Sequence, residues 1–220
     1  PPDVTPLPDL RPWDNNNPQR LLAQEHRVRD RLNAHFERRG VKGVDCLGAV
    51  YGESSATLLA TFPEMDHYGE RAGTEYFGTW GRVAGAAPQW PAGDGPRVFV
   101  YLKPIEALDA LLSELRLGGG PTIAYITGVP EHHLARHGRS NMRFVSEPVD
   151  IARVAAECDL AVLNAGHGAT AAMLLAGRPV LLLPRNLEQR LLSERIAWAG
   201  AGLQANPRDP TGVARALRAL

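Results

Sequence analysis

Residues 164–170, Asn-Ala-Gly-His-Gly-Ala-Thr, place an amide, an imidazole and a hydroxyl among small residues, between two apolar runs. Such a turn can bind an anion. Gly166 and Gly168 have no Cβ, so a ligand can approach their backbone closely. The helix expected to begin near Ala169 and Thr170 turns free N–H groups and a positive dipole end toward that ligand. Thr170 adds a hydroxyl donor, and a diphosphate is the natural guest. The helix itself, "TAAMLLAG", carries no charge and must be buried, which makes the site rigid. Two glycines in a strand-to-helix turn also serve tight packing alone, and both readings stand. Glu188 and Gln189 follow the next apolar run. A carboxylate beside an amide can hydrogen-bond paired sugar hydroxyls. Equally, Glu188 can be a first-turn acid favoured by the helix dipole, with Gln189 merely exposed.

The elements that must position these residues read as alternating strands and helices. "RVFVYL" (97–102), "TIAYIT" (122–127), "MRFV", "LAVLN" (160–164), "PVLLLP" (179–184) and "GLQAN" are strands. Helices are expected from Pro104 to about Leu117 and over "PEHHLARHG", "DIARVAAE", "ATAAMLLAG", "EQRLLSERIAWAG" and "PTGVARALRAL". This alternation predicts an α/β fold with a doubly wound, parallel, Rossmann-like sheet. The near-continuous apolar strands imply helices on both sheet faces. No glycine occurs in the first strand–turn–helix, "RVFVYLKPIEAL", which argues against a dinucleotide fingerprint.

Upstream the chain reads differently. Residues 1–17 hold five prolines and three consecutive asparagines and form an irregular lead-in. A helix is expected from Pro18 to Arg39, with Leu21, Val28, Leu32 and Phe36 on one face. Val44 to Val50 and Thr57 to Thr61 are short strand candidates. "GRVAGAAPQWPAGDG" (81–95) has no periodicity and reads as an interdomain linker. The expected division is therefore residues 1–93, an upstream segment with its linker, and residues 94–220, the α/β domain.

Lysine plus arginine equals aspartate plus glutamate, 24 each, in 220 residues. That balance argues against a nucleic-acid or membrane-surface protein. The abundance of Arg, Ala, Gly and Pro suggests a GC-rich bacterial source. Cys46 and Cys158 lie far apart without metal-ligand spacing, so no metal site is expected and both read as reduced thiols. No apolar run approaches the roughly 18 residues of a membrane span. With no recognisable signal peptide, the expectation is a cytoplasmic protein. The first residue is Pro1, so the expectation is also a stretch of a longer gene product.

The order of strand, "NAGHGAT", "AAMLLAGRPVLLLP", "EQ" and "GAG" resembles the nucleotide-sugar-binding half of GT-B glycosyltransferases. The likeness is to the family 1 type, which includes bacterial macrolide, antibiotic and flavonoid glycosyltransferases. It covers residues 97–220, with its motifs in 158–203, and "LLATFPEMDHY" resembles the segment closing that family's N-terminal domain. The resemblance implies that Asn164, Gly166, His167, Gly168, Ala169, Thr170 and Lys103 bind the donor diphosphate. It implies that Glu188 and Gln189 hold the donor sugar, and that Val145, Ser146 and Val149 meet the nucleotide base. The partners would be a UDP- or dTDP-sugar and a small natural-product or lipid acceptor, with no metal or other cofactor and with inversion at the sugar.

The sequence departs from the family pattern at three places. Asn164 stands where a histidine is common, and His167 can partly compensate. "YLKP" replaces a Gly-Ser or Gly-Thr turn; Lys103 either supplies the missing charge or is an exposed strand-end lysine. Val149 stands where a glutamine often contacts the base, leaving backbone groups to do so. No residue is assigned as catalytic base, and this stretch is expected to bind donor without transferring sugar. Two further readings are a non-catalytic GT-B relative acting as partner or activator, and a nucleotide-sugar epimerase, for which no carboxylate cluster is visible.

Overall fold

The structure, a computed structural model, describes residues 5–7, 9, 11, 17–52, 55–56, 58–69, 74–80 and 85–220. It divides into two compact units, Pro1–Leu58 and Leu59–Leu220.

The first unit centres on helix α1, Pro18–Glu37. Asn17 caps it, its side-chain oxygen accepting from the Gln19 and Arg20 amides, and Pro18 occupies the first helical position. Buried Glu25 accepts hydrogen bonds from the amides of Leu7 (2.8 Å) and Leu47 (3.3 Å). The strand expected at 44–50 does not form. The Asn33 side chain takes both backbone groups of Val44, accepting from its N–H at 2.8 Å and donating to its C=O at 2.9 Å. Residues Ala49–Gly52 then close one helical turn, α2. Thr57 lies outside the described residues, and Leu59 makes only an isolated bridge to Tyr76.

The second unit is the expected α/β domain. Its strands are β1 Val98–Leu102, β2 Thr122–Ile126, β3 Met142–Val145, β4 Leu160–Leu163, β5 Val180–Leu182 and β6 Gly202–Gln204. They form one sheet in the order β3-β2-β1-β4-β5-β6, and every pairing is parallel. The intervening helices are α3 Leu108–Gly118, α4 Glu131–Ala135, α5 Ile151–Glu157, α6 His167–Leu175 and α7 Leu187–Trp198; α8, Pro210–Arg218, follows β6.

Strand side chains alternate between two cores. Val100, Leu102 and Val162 pack with Leu111 and Leu112 of α3, Leu134 of α4 and Val213 of α8. Phe99, Ile123 and Leu163 pack with Val154 of α5, Met173 of α6 and Ile196 of α7. Each fully buried large side chain contributes about 1.5–3 kcal/mol. Cys158 is fully buried beside Met173, and burial pushes its thiol up to about 11. Among the described residues no helix is long and apolar enough to cross a membrane.

Helix α3 begins at Leu108, later than the expected Pro104. Residues 103–107 are held as a turn instead, with the Ala107 N–H donated to Pro207 O and the Leu108 N–H to Ile105 O.

The sheet begins where expected, but the compact unit begins earlier, at Leu59. Residues 81–84 lie outside the described residues. Residues 85–96 are packed onto the sheet unit. Ala86 pairs with the 148–150 backbone, Gln89 meets Arg143 at 2.7 Å, and Trp90 donates to Glu157 at 2.7 Å. Gly85 permits this contact, because a Cβ there would lie 2.3 Å from the Val149 carbonyl carbon. Gly85→Ala should therefore lift this strap from the 148–150 loop at a cost on the order of 1–3 kcal/mol. Hydrogen exchange would show it as lost protection of the Ala86 and Asp150 amides, with the strand amides unchanged.

Candidate functional site

In an open parallel sheet, ligands bind beyond the carboxyl ends of the strands, where the strand order reverses. Here that point lies between β1 and β4. Lys103 follows β1 and Asn164 follows β4, so the switch point brings together two residues far apart in sequence.

Asn164 holds this point together. Its Oδ1 accepts from the Lys103 N–H at 2.6 Å, and its Nδ2 donates to Leu183 O at 2.9 Å. One side chain thus ties the ends of β1, β4 and β5, and it is only 9 % exposed. The Lys103 side chain is exposed and makes no ion pair with a described residue.

The chain then turns sharply. Ala165 sits at φ 59°, a left-handed conformation for a residue with a Cβ, and is 2 % exposed. That conformation costs about 1–2 kcal/mol and is held by the packing around it. It launches α6 two residues earlier than the expected start. Gly166 is the N-cap and offers no side-chain cap, whereas Asp150, Asn186 and Asp209 cap α5, α7 and α8. The amides of His167, Gly168 and Ala169 are consequently left without an intrahelical acceptor. The next amide, of Thr170, is bonded to Gly166 O at 3.0 Å. Gly166 and Gly168 are exposed, and a Cβ on either would meet nothing within 4 Å. Backbone donors, a dipole end and open space therefore coincide.

Thr170 does not join them. It is fully buried, and its hydroxyl has no partner among the described residues. The His167 ring leaves the turn as well: its Nε2 lies 2.6 Å from Thr61 Oγ1. Burial lowers its pKa, opposed by the charge of Glu188 and reinforced by His67. At neutral pH the ring is neutral and brings no charge to an anion.

Glu188 and Gln189 lie in the first turn of α7. The Glu188 carboxylate is exposed and its charge acts on His167, so the starts of α6 and α7 are neighbours at the carboxyl ends of the strands, where such sheets form their crevice. Gln189 is partly committed. Its Oε1 accepts from the Arg185 N–H (2.8 Å), while its own N–H donates to Asn186 Oδ1 (2.9 Å). Its side-chain NH2 group remains as a donor. Arg195, further along α7, donates to Pro63 O (3.0 Å) and Glu64 O (2.9 Å), fastening the segment that carries Thr61 and His67 against the crevice.

Among the three residues expected at the base, Val145 is half-buried at the end of β3 and Ser146 is exposed. Val149 is 7 % exposed, with its side chain in the α5–α7 core. The bridge to Ala86 uses the Pro148 C=O and the Asp150 N–H, so alternation turns the N–H and C=O of Val149 the other way. An aromatic pair that the sequence reading missed lies on the same row. Tyr101 and Tyr125 are register partners, Tyr125 pairs in turn with Val145, and the rings stack at 5.2 Å and 26°. Tyr101 is 39 % exposed in an otherwise buried central strand. A tyrosine near the end of an apolar strand was the available signal; its cross-strand partner could not be read.

The fold can be compared with solved structures. Neither a family model nor a curated protein matches the sequence. The glycosyltransferase of kitacinnamycin superposes with a TM-score of 0.68 at 19% identity, over 96% of this chain and 55% of that one. The glycosyltransferase VinC, in complex with dTDP, gives 0.64 at 20% identity, over 94% and 51%. SnogD from Streptomyces nogalater gives 0.56 at 23% identity, over 90% and 57%. The chain shares the α/β fold of part of these glycosyltransferases. It spans about half the length of these glycosyltransferases.

The depressed His167 pKa makes a prediction about pH. The unfolded chain binds a proton near the ordinary value of 6.5, whereas the folded chain resists it. More protons are bound in the unfolded state below that value, so stability must fall as pH drops. In His167→Gln, the dependence of the urea midpoint on pH between about 5 and 7 should flatten. An unchanged slope would remove His167 as its source.

Proposed function

We propose that this chain forms the donor-binding part of a glycosyltransferase, taking a UDP- or dTDP-sugar for transfer to a small natural-product or lipid acceptor. The observation that carries the reading is the uncapped start of α6 at the topological switch point, with free amides at His167, Gly168 and Ala169 under open space. The diphosphate sits on these amides, and Lys103 beside them supplies positive charge. Donors fixed in advance stabilise the charge that grows on the leaving diphosphate without rearranging. That task needs no metal at the diphosphate. The exposed Glu188 carboxylate and the Gln189 NH2 group hold the sugar hydroxyls at the neighbouring helix start. The base lies against the Tyr101–Tyr125 stack, bonded by the outward backbone groups of Val149 and flanked by Val145 and Ser146. Two of the solved neighbours are complexes with dTDP or thymidine diphosphate, which suits this reading. Inversion at the sugar is the stereochemistry proposed, on the family resemblance, and no residue here is assigned as the base that deprotonates the acceptor.

A second reading has a specific observation behind it. Asn164 is committed to the strand ends and His167 is neutral, so Lys103 is the one fixed cation described at the turn. A relative that had lost catalysis and served as a partner or activator would tolerate both features.

Calorimetric titration with UDP and dTDP separates the two. The donor reading expects micromolar binding that disappears in Gly168→Val, with an unchanged melting temperature because the added side chain enters open space. No binding in the wild-type chain favours the non-catalytic relative. Tyr101→Ala tests the base platform. Losing a stacking surface worth about 1–3 kcal/mol should weaken UDP or dTDP roughly tenfold or more. Inorganic pyrophosphate, which has no base, should bind the variant as it binds the wild type.

A further inference from the structure

On the opposite face of the sheet from α5, α6 and α7, three side chains from α3 and the α4 region converge. His133 Nε2 lies 2.9 Å from Asp109 Oδ1, and His137 Nε2 lies 2.8 Å from the same oxygen. All three ligand atoms fall within 4.8 Å of one another. We propose that Asp109, His133 and His137 form a binding site for a divalent transition-metal ion, with Zn2+ as its representative.

The donor set is the first argument. Two imidazole nitrogens and one carboxylate oxygen suit zinc and its borderline neighbours, and do not suit magnesium or calcium. The geometry is the second. Ligands about 2.0–2.2 Å from a tetrahedral zinc stand roughly 3.3 Å apart. The two N···O separations, 2.9 and 2.8 Å, are within about half an ångström of that edge and the third pair lies within 4.8 Å, so a modest spreading of the side chains admits an ion. Both histidines present the same nitrogen, and their rings, 6.3 Å apart and tilted by 46°, approach the carboxylate from two directions. Placement is the third. His133 lies in α4 and His137 one turn further on, while Asp109 occupies the first turn of α3. An ion would cross-link α3 to the α4 region.

The site is graded from inside to outside. The His137 side chain is 12 % exposed, that of His133 31 % and that of Asp109 60 %. The inner histidine is therefore fixed and the outer carboxylate faces water, leaving the remaining coordination position to a water molecule. One group opposes the ion. Arg136 NH2 lies 2.6 Å from His133 Nδ1, placing a guanidinium at the edge of the ring. Arg136 is exposed and can swing into solvent, but its charge weakens the attraction for a cation. It therefore gives a test of the opposite sign from the ligands. In the metal-free state both imidazoles donate to Asp109, whose carboxyl is held below its ordinary range chiefly by the His137 bond. For Nε2 to ligate, each neutral imidazole must carry its proton on Nδ1 instead, so the Arg136 guanidinium at His133 Nδ1 must move away as the ion enters.

The experiment is a calorimetric titration of the untagged full chain with Zn2+ at pH about 7.5, with Mg2+ as control. One equivalent should bind and raise the melting temperature, and Mg2+ should do neither. His133→Ala and His137→Ala together should abolish the one-equivalent binding, because a single exposed carboxylate then remains. Asp109→Asn should weaken it less, and Arg136→Ala should tighten it several-fold. If the double variant folds poorly, His133→Gln alone, judged with circular dichroism, should still lower affinity at least tenfold. Absence of zinc binding, or binding that the histidine and Arg136 variants leave unchanged, overturns the proposal. The cluster is then only a hydrogen-bonded strap between α3 and the α4 region.

Discussion

The crevice depends on one amide side chain. Three parallel strands end side by side; the ladder runs as far as the Leu183 N–H, which donates to Leu163 O, and beyond it the Lys103 N–H and the Leu183 C=O still need partners. Asn164 meets that need by accepting from the end of β1 and donating to the end of β5, while its own backbone ends β4. A buried amide can do this because it carries a donor and an acceptor on one flat group. A carboxylate would lack the donor, and an apolar residue would leave a backbone N–H and a C=O unpaired, at a cost of about 1–3 kcal/mol each. With the three ends tied, the left-handed Ala165 can aim the next three amides outward, because the strand before it cannot relax.

The two helix starts at the crevice differ in what they present. At α7, Asn186 and Gln189 satisfy local amides, so the helix presents side chains. At α6, a glycine occupies the cap position, so the helix presents backbone. These helices share one core with Met65 and the 62–65 segment. The capped helix also carries Arg195, whose guanidinium holds that segment by its carbonyls.

How much of this could be read in the sequence follows from how far apart the partners lie. The parallel sheet and its covering helices were legible because apolar runs and their punctuation are local. The turn from β4 into α6 was legible because small residues between a strand and a helix are local too. The strand expected at 44–50 failed because Asn33 takes the backbone of Val44, and apolar content cannot show that competition. The linker at 81–95 looked free because Gly and Pro lack periodicity; Gly85 is there to let two backbones touch. Within the turn, helix phase decided the roles. Moving the start to His167 buries Thr170 and makes Ala169 the last free amide. Val149 followed the same logic, its side chain turned inward by a bridge to a residue far upstream.

The strand order has a consequence for how the chain is made. The central strand β1 has β2 on one side, soon after it in sequence, and β4 on the other, with Val98 paired to Leu160. During synthesis β1, β2 and β3 can assemble early, but β1 must wait with one edge bare until residues 160–163 emerge. Such long-range parallel pairing is slow, and a bare apolar edge invites pairing with another chain. The nascent protein is thus most exposed to misassembly while Asn164 and the turn behind it are still within the ribosome. The step that closes the sheet is also the step that creates the crevice.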